Sequence, residues 1–266
     1  MALRVMTWNL WWRFGPWEAR QPAIVSVLRE QAPDVVCLQE VWAEDSGDDQ
    51  AAVLADHLGY HYARTPAPYF NGVSFGNAVL SRWPILGVET TRLPNADGEP
   101  GHRSALLAVV DAPYGAVPVV SAHTEYRFEQ SATRVAQTAA LARFVAENRG
   151  EPETAFPVIV GGDLNAVPDS DEVRQLTGRT VPPVAGLVLH DAWELAGEGS
   201  GVTWHPDNQY LADAVWPNRR IDYLLVSWPR PKQLGTPIRA WIAGDRPVDG
   251  VQPSDHYAVV ADLRAG

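Results

Sequence analysis

Six places along the 266-residue chain join a side chain able to bind a metal ion or a phosphate to one end of a short apolar run. Asn9 closes LRVMTWNL, Glu40 closes DVVCLQE, His123 follows VPVVSA, and Asp163 and Asn165 follow FPVIVGG. Asp222 enters YLLV, and Asp255 and His256 precede YAVVADL. Carboxylates are hard oxygen donors suited to a divalent cation, and an imidazole can hold or move a proton near neutral pH. Any one of these residues has a plain reading as a turn residue. Six together, at strand ends where a fold gathers distant residues, read as one site.

The densest stretch, GGDLNAVPDSDE (161–172), also has an ordinary structural reading. Gly161 and Gly162 let the backbone turn, Asn165 tolerates an unusual dihedral, and Asp169 caps a helix over SDEVRQL with Glu172 three residues on. The histidines away from these motifs form no nitrogen- or sulfur-rich cluster, so a dedicated zinc site is not expected.

The elements that must hold these residues are legible as short runs rich in Val, Ile, Leu and aromatics. LRVMTWNL, DVVCLQEV, GNAVLS, SALLAVVDA, AVPVVSAH, FPVIVGGD, IDYLLVS, IRAWIAG and HYAVVADL are predicted strands. Helices are predicted over PAIVSVLREQ, DDQAAVLADHL, SATRVAQTAALARFVAEN and DSDEVRQL. SALLAVVDAPYGAVPVVSAH and RRIDYLLVSWPRPKQLGTPIRAWIAG each set two strands side by side with only a loop between, as antiparallel neighbours. Strands in series with helices between only some of them point to mixed α/β layers, sheet packed on sheet with helices outside.

With 46% hydrophobic residues the chain can bury a large core, and residues 1–266 read as a single domain without repeats or linkers. No run approaches a membrane span, so stable membrane insertion is not expected. The N-terminus enters a strand pattern without a secretory signal, and the single cysteine, Cys37, lies in a buried run; both favour the cytoplasm. The formal charge of −11, with Lys232 the only lysine, argues against an extended basic face for nucleic acid.

TWNLW, LQEV, GNAVLSRWPI, HRSALLAVV, SAHTE, GGDLNAVPDSDE, RRIDYLLV and SDHYAVVADL, in that order over residues 7–263, resemble the endonuclease/exonuclease/phosphatase superfamily. The resemblance implies a four-layer α/β/β/α sandwich of two mixed sheets flanked by helices. It also implies a divalent metal, usually Mg2+ with Mn2+ as a substitute, and hydrolysis of a phosphodiester or phosphomonoester by metal-assisted attack of water. Such a reaction needs neutralisation of the oxyanion, a positioned water and a proton for the leaving oxygen.

Carried over residue by residue, the resemblance assigns metal binding to Glu40, with Asn9 as ligand or support and Asp255 sharing the role or standing behind it. Asp163 orients or deprotonates the water, and the Asn165 amide holds a phosphate oxygen. His256, paired with Asp222, contacts phosphate or takes part in proton transfer. His123 stabilises charge or donates the leaving-group proton, and Arg103 approaches the substrate phosphate. Thr124 and Glu125 depart from the leucine and aspartate common after that histidine. Asn77, Arg134 and Gln137 read as structural support. Trp8, Trp11, Trp12, Trp42, Trp204 and Trp216 cluster near the motifs, and Trp11, Trp12 and Trp42 with Arg103 are the expected recognition rim.

The resemblance leaves the phosphoester open: a small molecule, a lipid headgroup or a nucleic acid. No protein partner is expected. The competing class is a catalytically silent member serving as a binding or scaffold domain; retention of all eight residues at the six strand-end positions argues against it.

Overall fold

The structure is a computed structural model of the chain, describing every residue except 67–70, 152, 213, 215–217 and 228–232; Trp216 and Lys232 lie outside the described residues. The described strands form two six-stranded sheets. The first combines β1 (Ala2–Asn9), β2 (Val35–Glu44), β3 (His61–Arg64), β4 (Val73–Ser81), β11 (Pro237–Ala243) and β12 (Ala258–Arg264), in the order β11-β12-β1-β2-β4-β3. The second combines β5 (Ile85–Pro94), β6 (Pro100–Ala112), β7 (Gly115–His123), β8 (Ile159–Asp163), β9 (Leu189–Asp191) and β10 (Asp222–Ser227), in the order β5-β6-β7-β8-β10-β9.

Each strand near the middle alternates between two apolar surfaces. Val5, Val35, Cys37, Val119 and Ile159 face the other sheet, while Met6, Val36 and Leu38 pack beneath α1 (Trp17–Gln31) and α2 (Gln50–Leu58). Val120 and Val160 pack beneath α3 (Ser131–Glu147) and α4 (Asp171–Leu176). Burial on both faces explains why these strands read as continuous apolar runs. The result is the helix, sheet, sheet, helix order expected from the sequence.

Topology explains why the polar residues converge. β1 and β2 are parallel, crossed over by α1, and β7 and β8 are parallel, crossed over by α3. Parallel strands bring their C-terminal ends to one edge, where Asn9 pairs in register with Gln39 and His123 with Asp163. β12 and β10 run antiparallel to these strands, so Asp222 and the turn carrying Asp255 and His256 arrive at the same edge from their N-terminal sides.

Several expectations need correction. Gly161 and Gly162 do not turn the chain: they lie within β8, and the turn comes at Asn165, at φ 48°. A Cβ on Gly161 would lie 2.6 Å from Cys37 Cβ, and one on Gly162 would lie 2.4 Å from the Ala122 carbonyl oxygen. The glycines are needed for close approach across and within the sheets. α1 starts five residues before Pro22 and keeps it inside the helix. Asp169 does not cap α4; Ser170 occupies that position, and Glu172 pairs with Arg134 at 3.0 Å. β6 and β7 are antiparallel neighbours as expected, but β10 and β11 belong to different sheets. His57 and His61, four apart, share no helix face, because α2 ends at Leu58 and Gly59 is left-handed.

Candidate active site

Glu40 is aimed by an irregularity. The register between β2 and β4 slips between Leu38 and Val41, and Glu40 takes φ 56°, a left-handed backbone that a non-glycine residue adopts only where its surroundings enforce it. The enforcing contacts are backbone bonds from Leu10 N to Gln39 O (2.9 Å) and Trp12 N to Glu40 O (3.0 Å). Glu40 Oε2 is buried without a hydrogen-bond partner. Burial, then the nearby Asp255 carboxylate, pushes the Glu40 carboxyl up to about 7.

Asp163 sits between several donors. Its Oδ2 accepts from Asn9 Nδ2 at 3.0 Å, and its Oδ1 accepts from the Asn165 backbone N–H at 2.9 Å. His123 Nε2 and His256 Nε2 lie 3.5 and 3.8 Å from Oδ2. Burial and the Asp222 charge lift Asp163 to about 6 despite these donors. The Asn9 amide is locked at both ends, its Oδ1 accepting from Trp11 N at 2.9 Å.

The two imidazoles are held in opposite states. His256 Nδ1 lies 2.9 Å from Asp222 Oδ2. Burial disfavours the charged ring, but Asp222, Asp255 and Asp163 outweigh it and hold His256 protonated well above the usual histidine range. His123 is pushed well below that range by burial, by Arg103 and by His256. Arg103 NH1 approaches His123 Nδ1 at 3.0 Å and Nε2 at 3.3 Å. A guanidinium only donates, so the nearer Nδ1 is the better-placed acceptor, and a hydrogen on Nε2 then faces Asp163 Oδ2 at 3.5 Å.

These residues floor a cavity of about 450 Å³ whose walls include Arg103, Arg219, Trp11 and Trp204. Phe14, Phe75, Tyr126 and Phe128 also line it and remain exposed. Thus all eight strand-end residues are brought together, and Arg103 joins them. Asn77, Arg134 and Gln137 are indeed supports. Asn77 Nδ2 ties β4 to the Ser104 carbonyl at 2.7 Å, and Arg134 and Gln137 hold the backbone of residues 125–128. Thr124 is a tie as well, its Oγ1 donating to Leu164 O at 2.6 Å.

The tryptophan rim is only partly as expected. Trp11 and Trp204 line the cavity, whereas Trp12 donates to Ser74 O at 2.8 Å behind it. Trp42 is buried against Trp17, with the Arg13 guanidinium over both rings. Two arginines were not singled out in the sequence. Arg219 lines the cavity, and Arg20, fully buried, donates to the carbonyls of Leu10, Trp11, Trp12, Phe14 and Pro253 at 2.7–3.1 Å. The signal for Arg20 was a charge standing on the apolar stripe of Ile24, Val27 and Leu28.

The raised carboxyls have a consequence for stability. The Glu40 and Asp163 carboxyls bind protons more tightly folded than unfolded, so their contribution is present below their ordinary values of 4.5 and 3.8 and is lost as pH rises through about 7 and about 6. In chelator, the melting temperature is therefore expected to decline from pH 5 to pH 8, and more steeply in the wild type than in Glu40→Gln. Parallel curves for the two proteins would contradict the raised Glu40 carboxyl.

The family model for the Endonuclease/Exonuclease/phosphatase family matches residues 6–256. The chain belongs to this family. Its members are hydrolytic phosphoesterases that depend on divalent metal, and this chain carries an acidic and histidine-bearing cluster of Asp163, Asp222 and His256. A Drosophila melanogaster protein named "Putative neutral sphingomyelinase" is 30% identical over 195 residues, covering 66% of this chain and 42% of that one. The chain spans less than half the length of the curated relatives it matches. Among solved structures, an endonuclease/exonuclease/phosphatase from Beutenbergia cavernae superposes with TM-score 0.73 at 27% identity, covering 100% of this chain and 72% of that one. D. rerio TDP2 complexed with single strand DNA product superposes with TM-score 0.78 at 22% identity, covering 99% of each chain. Among the described residues, no helix is long and apolar enough to cross a membrane.

Proposed function

We propose that the chain is a divalent-metal-dependent phosphodiesterase acting on a small or locally recognised phosphoester. The observation that carries this reading is the buried Glu40 Oε2 without a partner, crowded by Asp255 at the floor of an arginine-walled cavity. An unpartnered buried carboxylate oxygen beside a second carboxylate is costly unless a cation joins them. The donor set is all oxygen and fits Mg2+ or Mn2+. Asp163, Asp222 and His256 also offer ligand atoms within 4.8 Å of one another, but a His256 ring protonated and bonded to Asp222 has no lone pair to give.

Glu40 and Asp255 would hold the cation, with Asn9, locked at both amide ends, as support more than ligand. When bound, the cation supplies electrostatic stabilisation of the phosphoryl oxygen. Asp163 would orient and deprotonate the attacking water, its carboxyl near 6 being well matched to neutral pH. Charged His256, oriented by Asp222, and the Asn165 amide would hold nonbridging phosphate oxygens. Neutral His123 would donate its Nε2–H to developing charge, and Arg103 would meet the phosphate. The charge of −11 favours recognition confined to the cavity.

The test is hydrolysis of bis(p-nitrophenyl) phosphate with Mg2+, Mn2+ and Ca2+ in parallel. Activity should vanish in chelator and return with metal, and Glu40→Gln should raise the metal concentration for half activity by about tenfold or more. A metal dependence identical in both proteins would remove Glu40 from its role, and no hydrolysis with any metal would favour a catalytically silent binding domain.

A further inference from the structure

We propose that the cavity wall built by Trp204, Arg219 and Phe128 is a second anion subsite, taking a phosphate of the substrate other than the one held at Asp163. The inference rests on the phosphodiesterase reading above and extends it to a substrate class, phosphodiesters that carry an additional phosphate. Arg219 is fixed on a short bridge with Trp204: Trp204 N donates to Arg219 O at 3.0 Å, and Arg219 N to Trp204 O at 3.1 Å. The same strap is tied to the reaction centre, because Asp222 N donates to Thr203 Oγ1 at 3.3 Å. A ligand group held by Arg219 is therefore held at a set distance from the Asp222–His256 pair.

The guanidinium lies over the Phe128 ring, 4.7 Å from its centroid, and makes one long bond, 3.4 Å, to the Asn165 carbonyl. A guanidinium has five N–H donors, so most of this one's capacity is unused. Among the described residues no carboxylate forms a salt bridge with it, although the chain has 32 acidic residues. Its neighbour Arg134 has taken Glu172 at 3.0 Å and adds a like charge, while Asp163 and Glu172 attract it from a distance without a direct contact. Arg103 is differently placed: it contacts His123 and lies over Phe75 and Tyr126. The cavity thus holds two separately anchored arginines, one on the His123 side and one on the Asn165 side. A planar fork with free donors, backed by an aromatic ring, suits bidentate phosphate recognition.

Two sources share this chemistry, a nucleotide with a second phosphate and a phosphorylated polyol headgroup. Calorimetric titration with calcium present compares thymidine 5′-phosphate with thymidine 3′,5′-bisphosphate, and inositol 1-phosphate with inositol 1,4-bisphosphate. The bisphosphate should bind about tenfold tighter in at least one pair. Arg219→Gln, which keeps the backbone bonds to Trp204, should abolish that advantage at an unchanged melting temperature, and Arg219→Lys should retain part of it. An advantage confined to one pair identifies the source. No advantage in either pair, the same advantage in Arg219→Gln, or equal weakening of mono- and bisphosphate by that variant overturns the subsite. Absence of metal-dependent hydrolysis with the advantage intact would instead sink the phosphodiesterase reading and leave the subsite standing.

Discussion

Replacing Asp163 by asparagine is expected to lower kcat by about 10³-fold at saturating metal, the range typical of a lost general base, with little change in melting temperature. The carboxylate is almost fully buried and accepts from Asn9 and from the Asn165 backbone at 3.0 and 2.9 Å, with both imidazoles within 4 Å. An asparagine fills the same volume and can keep one of those bonds, but it cannot take a proton from water. Steady-state kinetics beside thermal melts would check this, and a variant with near wild-type kcat would remove Asp163 from the reaction. The Asp222–His256 pair should behave as a unit. Asp222→Asn and His256→Ala should each reduce turnover strongly, and the double variant should be little worse than His256→Ala alone. Full additivity would contradict the 2.9 Å pair as a functional coupling.

The second large effect is expected at Arg20, which does not line the cavity. Arg20→Met should destabilise the protein by about 3 kcal/mol or more, since hydrogen bonds from a buried charge are worth roughly 1.5–3 kcal/mol each and do not add fully. Five carbonyls converge on this one guanidinium, four from residues 10–14 and one from Pro253. Those segments place Trp11 and Phe14 on the cavity wall and lead into Asp255 and His256. A rise in KM should accompany the lower melting temperature. Arg20→Lys should recover only part, because an ammonium cannot span five acceptors. A melting temperature unchanged in Arg20→Met would refute this account.

The strand-end polar residues were legible because a carboxylate, amide or imidazole closing an apolar run breaks the local pattern, and the order of those breaks carried the family and the layered fold. What stayed hidden depended on long-range geometry. β5 was not read as a strand, since an edge strand with exposed Leu86 and Val88 lacks the alternation of a half-buried one. The separation of β10 from β11 follows from sheet membership, which adjacency in sequence does not encode. Gly161 and Gly162 looked like turn residues, because the sequence does not say how closely Cys37 and Ala122 approach them. Arg219 lay within a motif already noted, RRIDYLLV, but whether an arginine faces solvent or a cavity is settled by the bridge to Trp204.

The pairing of β1 with β12 has a consequence for the order of folding. Ala2 to Thr7 lie against Val259 to Arg264, so the first sheet has at its middle a seam between strands some 250 residues apart. Closing so long a loop carries an entropic cost that must be met before the seam contributes anything. On a ribosome, β1 would emerge before β2 and, once paired with it, would keep its other flank bare until residues near 260 emerge. The second sheet, from β5 to β10, could be complete by then. Assembly of the active-site edge therefore waits for this pairing, because Asp255 and His256 reach it only as β12 zips onto β1.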